Sequence, residues 1–282
     1  MAHEPPGAPA AEAVMARAGT ENFAVASRLL PRREREQLLA VYGFARLVDE
    51  LGDAHPGDRL GALDWLEGEL DAAFAGRASH PVMARLERTL ATHPLPREPF
   101  VRLIEANRVD QRTSRYETWE ELRRYCSLSA DPVGELVLEA FDLADPERIA
   151  LSNSICTALQ LAEHCQDVAE DLAAGRVYLP AEDLQRFGAT VDDLHAQHAS
   201  PELRAVVAFE VERARGLLLD GRPLVAQLRG RARLAVAGYL AGGLAALEAI
   251  ERANHDVLAG APQADRAARA RHLLRTLLAA RR

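Results

Sequence analysis

Polar residues on this chain gather at helical spacing within segments otherwise built of Leu, Val and Ala. The clearest case lies between Gln160 and Pro180, where Gln160, Glu163, Asp167 and Asp171 stand at offsets 0, 3, 7 and 11. At about 100° per residue these four fall within a narrow arc of one face. The pattern occurs a second time: Tyr42, Arg46, Asp49 and Asp53 stand at offsets 0, 4, 7 and 11. Each stripe ends in D-x-x-x-D. Like charges at i, i+4 oppose helix formation by about 0.2–0.5 kcal/mol per pair, so a helix that stacks them is expected to neutralise them with a cation. Magnesium suits such carboxylates, because it keeps coordination sites for phosphate oxygens.

The other segments also carry the helical pattern. A short helix is expected over residues 22–30. Pro31 suits the first position of the next helix, which carries Leu38, Leu39, Tyr42, Arg46 and Asp49 and ends near Gly52. His55-Pro56-Gly57-Asp58 is a turn, and helices follow over 60–75, 81–91 and from Pro99 to about residue 108. The stretch from Asp110 to Tyr116 and on through Ser127 to Gly134 has the pattern of a helix interrupted by Pro132 and Gly134, either a ligand-site break or a plain connection. The second acidic helix extends to about Ala174, with Gly175 as its stop. Arg176, Tyr178 and Pro180 follow directly, and Arg176 is placed to reach a diphosphate. Amphipathic helices complete the chain over 201–219, 231–254 and 265–282. Gly238, Gly242 and Gly243 would admit a close neighbour. The last helix sets Leu273, Leu274, Leu277 and Leu278 beside Arg266, Arg269, Arg271, Arg275, Arg281 and Arg282. The commoner arrangement packs the Leu stripe on the body and leaves Arg in water; the other lays the helix on an anionic membrane surface.

Composition narrows the class. The 282 residues are 48% hydrophobic, ample for a sizeable core, and isoleucine occurs only at Ile104, Ile149, Ile155 and Ile250, a bias toward helix over strand. A formal charge of −8 (34 minus 42) gives a nucleic-acid partner no support. Cys126, Cys156 and Cys165 form no C-x-x-C and read as small buried hydrophobes in a reducing compartment. No run has the uncharged apolar length expected of a membrane span. Residues 1–19 read as a loose tail without the basic and apolar regions of a signal peptide. A di-iron bundle is excluded, because none of the nine His has Glu three places before it.

The segments Tyr42-Gly-Phe-Ala-Arg46-Leu-Val-Asp49-Glu-Leu-Gly-Asp53 and Gln160-Leu-Ala-Glu-His-Cys-Gln-Asp167-Val-Ala-Glu-Asp171 resemble the squalene and phytoene synthase family. Supporting matches are Asn22-Phe23-Ala-Val-Ala-Ser27 and Tyr125-Cys126-Ser-Leu-Ser129-Ala-Asp-Pro132-Val-Gly134. The nearest resemblance within it is to the hydroxysqualene synthases of hopanoid biosynthesis. It implies an all-α, single-domain isoprenoid synthase bundle over residues 20–282 with a central cavity. Its implied reaction is conversion of presqualene diphosphate to hydroxysqualene with loss of diphosphate, in the cytoplasm or peripheral to the inner face of the membrane. Enzymes upstream and downstream in the same pathway are the expected partners.

Carried over residue by residue, Asp49, Asp53, Asp167 and Asp171 match the family's Mg2+-binding aspartates. Tyr42, Arg46 and Tyr125 match substrate-cavity positions, to which Gln160, Gln166, Arg176 and Tyr178 are added as substrate contacts. Two departures stand out. Gln166 replaces the Arg of the condensing enzymes, which suits a substrate with one diphosphate. Glu163 replaces Asn, as an extra magnesium ligand or as a charge that weakens diphosphate binding. The rival functions are a head-to-head condensing synthase of the presqualene, squalene or phytoene type, and a non-catalytic scaffold, which would be expected to lose aspartates this chain keeps. His164 reads as a packed or capping histidine.

Overall fold

A computed structural model describes residues 5, 7–16 and 32–280. The helix expected over 22–30 and the role of Pro31 lie outside them. All regular structure among the described residues is helical, apart from one isolated parallel bridge between Arg115 and Val177. The chain divides into two compact units, residues 1–112 with 132–145 and residues 113–131 with 146–282.

The first unit contains α1 (Ala11–Ala16), α2 (Arg32–Asp49), α3 (Arg59–Phe74), α4 (Pro81–Thr92), α5 (Glu98–Asp110) and all but the first residue of α7 (Asp131–Ala140). Its core is the inward face of α2 (Val41, Phe44, Leu47, Val48) against Leu63, Leu66 and Leu70 of α3, Met83 and Leu86 of α4, and Phe100 and Ile104 of α5. Each such side chain contributes about 1.5–3 kcal/mol by leaving water. Residues 1–19, expected as a loose tail, include α1, whose Val14 is buried in this core because it packs on α2. α2 does not run as a regular helix to Gly52. It gives way after Asp49 to a π-helical turn, Glu50–Ala54. The Asp58 side chain then caps α3 by accepting from the Gly61 amide at 2.9 Å.

The second unit contains α6 (Trp119–Ser129), α8 (Pro146–Gln166), α9 (Val168–Ala173), α10 (Ala181–Phe187), the 3-10 turn Val191–His195, α11 (Pro201–Gly221), α12 (Pro223–Gln227), α13 (Gly230–Arg252) and α14 (Arg266–Ala279). The break expected around Pro132 and Gly134 falls at Ala130, between α6 and α7. Pro132 is the second residue of α7, where its missing N–H costs nothing. Buried Asp131 is held by Arg123 at 3.0 Å and by the Thr157 hydroxyl at 2.9 Å. α8 packs on α6, α11 and α13. A Cβ on Gly243 would stand 2.7 Å from Leu159 Cδ2, so this glycine does admit a close neighbour. One on Gly238 would meet nothing within 4 Å.

Two expectations for the C-terminal helices change. α13 alone among the described residues is long and apolar enough to cross a membrane, and half of that apolar stretch is buried within the fold, so it is a core helix. It escapes the sequence criterion because the uncharged interval between Arg233 and Glu248 is only 14 residues long. α14 reverses the expected orientation: Ala268 and Thr276 are buried, whereas Leu274 and Leu278 stand 60% and 51% exposed. The contact that seats it is polar, with both Arg271 and His272 donating to Glu248 of α13.

Candidate active site

α2 positions the first group. Tyr42 and Arg46 are half-buried on its last turns, Asp49 is its final residue, and Asp53 is exposed in the π-helical turn. A π turn is wider than an α turn and releases a carbonyl from the regular ladder. Here Gln111 Nε2, at the C-cap of α5, donates to the Gly52 carbonyl at 3.0 Å. Gly52 is required at this contact, because a Cβ there would lie 2.0 Å from Asn107 Oδ1.

Arg46 Nη2 donates to Glu50 Oε1 at 2.8 Å, and Nη1 lies 3.9 Å from Asp49 Oδ2. Its Nε is buried with no partner among the described residues. Asp49 keeps half of its side-chain surface accessible, yet the protein around it excludes enough water to raise its pKa to about 7. Repulsion from Asp53 adds to that rise, while Arg46 and a hydrogen bond from the Asn107 side chain oppose it. Asn107 and Asp110, a second shared face on α5, were not singled out by sequence; their i, i+3 spacing is the only local signal they carry.

α8 and α9 position the second group, but not on one continuous helix. α8 ends at Gln166, and Asp167 has φ −101° and ψ 17° before α9 begins. Backbone bonds cross the break, from the Asp167 amide to Glu163 O at 2.9 Å and from the Asp171 amide to Asp167 O at 2.8 Å, so the four-residue register survives. Gln160, Glu163, Asp167 and Asp171 are all half-buried. Burial, and the nearby Glu170, raise the Asp167 pKa. Gln166 donates its amide to the Pro262 carbonyl. Gly175 stands at φ +80°, and the Arg176 amide returns to Asp171 O at 2.8 Å, which closes α9 as a glycine stop does.

Beyond Arg176 the chain pairs with residues 114–116, and the Val177 amide donates to Ser114 O at 2.8 Å. This brings Tyr116 against Tyr178, with ring centroids 5.9 Å apart. Tyr125 of α6 stacks on Tyr178 at 5.7 Å, and His164 stacks on its ring at 3.8 Å and 15°. Burial lowers the His164 pKa to about 3, so the imidazole is neutral. Its Nδ1 is 4.0 Å from Asp171 Oδ2, and its Nε2 has no partner among the described residues. Tyr125, Tyr178 and His164 are therefore brought into one aromatic cluster together with Tyr116, which the sequence places in the interrupted stretch but does not mark as a site residue, because the bridge that delivers it is a tertiary contact.

Among the described residues no three His, Cys, Asp or Glu side chains are close enough to hold a metal ion between them. Magnesium does not require three: it is commonly held by one or two carboxylates, with waters and substrate phosphates completing the octahedron. Hard oxygen donors in pairs, with Asp49 and Asp167 both raised by burial, fit an ion that would relieve their charge.

The squalene/phytoene synthase family model matches residues 16–275. A hydroxysqualene synthase of Rhodopseudomonas palustris is 38% identical over 211 residues, covering 74% of this chain and 72% of that protein. A phytoene synthase of Arthrospira platensis is 31% identical over 252 residues, covering 84% and 82%. The crystal structure of squalene synthase HpnC from Alicyclobacillus acidocaldarius superposes with a TM-score of 0.81 at 49% identity, covering 87% of this chain and 93% of that one. With a family match over nearly its whole length, the chain is an isoprenoid synthase and belongs to the squalene/phytoene synthase family.

Proposed function

We propose that residues 20–282 act as one catalytic domain that converts presqualene diphosphate to hydroxysqualene with release of diphosphate. The observation that carries the choice of substrate is Gln166. The position before the second motif is neutral, and its amide is engaged by the Pro262 carbonyl, so it offers no cation for a second diphosphate. The hydroxysqualene synthase and HpnC relatives support the same choice.

In this reading Asp49, Asp53, Glu163, Asp167 and Asp171 would hold Mg2+, which when bound supplies positive charge to the departing diphosphate. Arg46 and Arg176 bind diphosphate oxygens; the unpartnered Nε of Arg46 is a donor available for one of them. Tyr42 and Gln160 orient the same end of the substrate. The ester C–O bond breaks and its electron pair leaves with diphosphate; a ring C–C bond of the cyclopropylcarbinyl cation shifts to the cationic carbon and the three-membered ring opens. Tyr125 and Tyr178 present an aromatic face that shields the resulting carbocation until one water adds to carbon, forming the new C–O bond and losing its proton to solvent. A cytoplasmic location, next to enzymes that supply presqualene diphosphate and consume the alcohol, follows from this chemistry.

The test is to incubate the purified protein with magnesium and, separately, with farnesyl diphosphate and presqualene diphosphate, and to identify extracted products by mass spectrometry. Hydroxysqualene from presqualene diphosphate alone is the expected result. Consumption of farnesyl diphosphate would assign the chain to the condensing synthases, and turnover of neither would favour the scaffold.

A further inference from the structure

α14 is seated inside out. At about 100° per residue buried Ala268 and Thr276 point one way with half-buried His272, and the opposite arc collects exposed Ala267, Ala270, Leu274 and Leu278 together with half-buried Leu273 and Leu277. A helix held only by packing would bury its leucines. Here the exposed Leu274 and Leu278 lie one turn apart, and the inward contact is the polar one to Glu248. The outward arc is also bordered by charge of one sign. α14 carries four Arg and no Asp or Glu, and Arg266 and Arg275 are exposed.

The neighbouring helix extends the same surface. Arg252 of α13 pairs with Asp265 at 3.0 Å, and Arg233 Nη2 donates to the Leu277 carbonyl at 3.1 Å, so the two helices run antiparallel. The start of α13 therefore lies beside the end of α14, with Arg231 exposed and Leu234 42% exposed. In a chain of net charge −8 this is a local concentration of cations around exposed leucines.

We propose that the outward face of α14, extended by Leu234, docks the protein on an anionic lipid bilayer, with the leucines entering the headgroup–acyl boundary and the flanking arginines meeting lipid phosphates. Charge complementarity selects this occupant: a neutral surface would use the leucines alone, whereas anionic headgroups use both halves of the pattern. Arginine stems lie along apolar surface while the guanidinium stays in water, which suits their place on the borders.

The test sediments the full-length chain with vesicles of equimolar phosphatidylglycerol and phosphatidylcholine, and with phosphatidylcholine alone. Binding is expected to the anionic vesicles only and to weaken as NaCl is raised. Leu274→Ser with Leu278→Ser should weaken it by about tenfold or more. Both side chains are exposed, so circular dichroism and the melting temperature should not change. Arg266→Gln with Arg275→Gln should also weaken it, through charge. Equal binding to both vesicle types, no binding, or indifference to both double variants would overturn the proposal. So would a concentration-dependent dimer dissolved by the serine variant without vesicle binding, which would give the face to a second copy.

Discussion

Around Asp49 the protein supplies its own positive charge and its own amide: Arg46 lies within 3.9 Å and Asn107 hydrogen-bonds the carboxylate. Around Asp171 the nearest ring is a neutral imidazole, buried in a stack with three tyrosines. The two motifs are alike in sequence, and both sit where a helix is interrupted, at the π-helical turn after Asp49 and at the non-helical Asp167. The interruptions are nevertheless held differently. The first is braced from outside by Asn107 of α5 and by Gln111 at its C-cap, and the second keeps its own backbone bonds across the break. One spacing can thus be realised as a charged, externally braced site and as an aromatic, self-braced one.

The largest expected effect tests whether each motif serves the reaction. Asp167→Asn and Asp49→Asn should each lower turnover of presqualene diphosphate by roughly 10²–10³-fold, the usual loss when a group that stabilises developing charge is removed. Single-turnover release of diphosphate at saturating magnesium is the measurement. If Asp49→Asn kept full activity while Asp167→Asn lost it, the first motif would be no more than a solvated acidic face, and the equivalence of the two would fail.

Next in size is the bracing of the first motif. Gly52→Ala would set a Cβ 2.0 Å from Asn107 Oδ1, so Asn107 has to move and Asp49 loses a hydrogen bond. Overpacking of this kind costs about 1–3 kcal/mol. Denaturant unfolding should register that loss, and a magnesium titration of the same variant should show weaker binding. An unchanged affinity would mean that Asn107 does not position the carboxylate.

These same places mark where the sequence could be read and where it could not. The helices α3 to α5, α11, α13 and α14 were legible within a few residues, because Pro, Gly and apolar spacing are local signals; the short α12 was not read. Gly175 was legible as a stop because only glycine takes φ +80° readily. The π-helical turn was not, since the partner of its released carbonyl, Gln111, is 59 residues away. Tyr116 joins the aromatic cluster only through the pairing of residues 114–116 with Val177, again a long-range contact. The reversal of α14 was illegible for a related reason: its leucine pattern shows that it has an apolar face, whereas the contact of Arg271 and His272 with Glu248 decides which way that face points.

A smaller effect probes the aromatic setting of the second motif. His164→Phe keeps a flat ring on Tyr178, so fold and turnover should hold within about threefold if the imidazole is a packing group, because a like-sized replacement in a well-packed site costs little. Steady-state kinetics of the variant beside wild type decide the point. A loss near a hundredfold with unchanged melting would instead assign the Nε2 atom a direct role in the reaction.

The smallest effect lies behind the second motif, where α11 supports α8. Glu210 of α11 is fully buried, and desolvation raises its pKa to about 8; sharing a hydrogen bond with Asp183 adds to the rise, and Arg213 opposes it. Arg213 reaches both acids, Asp183 at 2.9 Å and Glu210 at 2.5 Å, with its guanidinium 4.7 Å from the Trp119 ring. A carboxyl raised on folding binds its proton more tightly in the native than in the unfolded chain. Between the unfolded value near 4.5 and the folded value near 8 the native state therefore holds more protons, and stability falls as pH rises through that window. Glu210→Gln cannot lose a proton, so its melting temperature should fall less than that of wild type between the two ends of the window. A difference of about 2–4 °C corresponds to roughly 1 kcal/mol in a large domain. A variant that melts with the same pH slope as wild type would mean that Arg213 holds Glu210 ionised despite its burial. The support behind the second motif would then be a buried ion pair, as charged as the surroundings of the first.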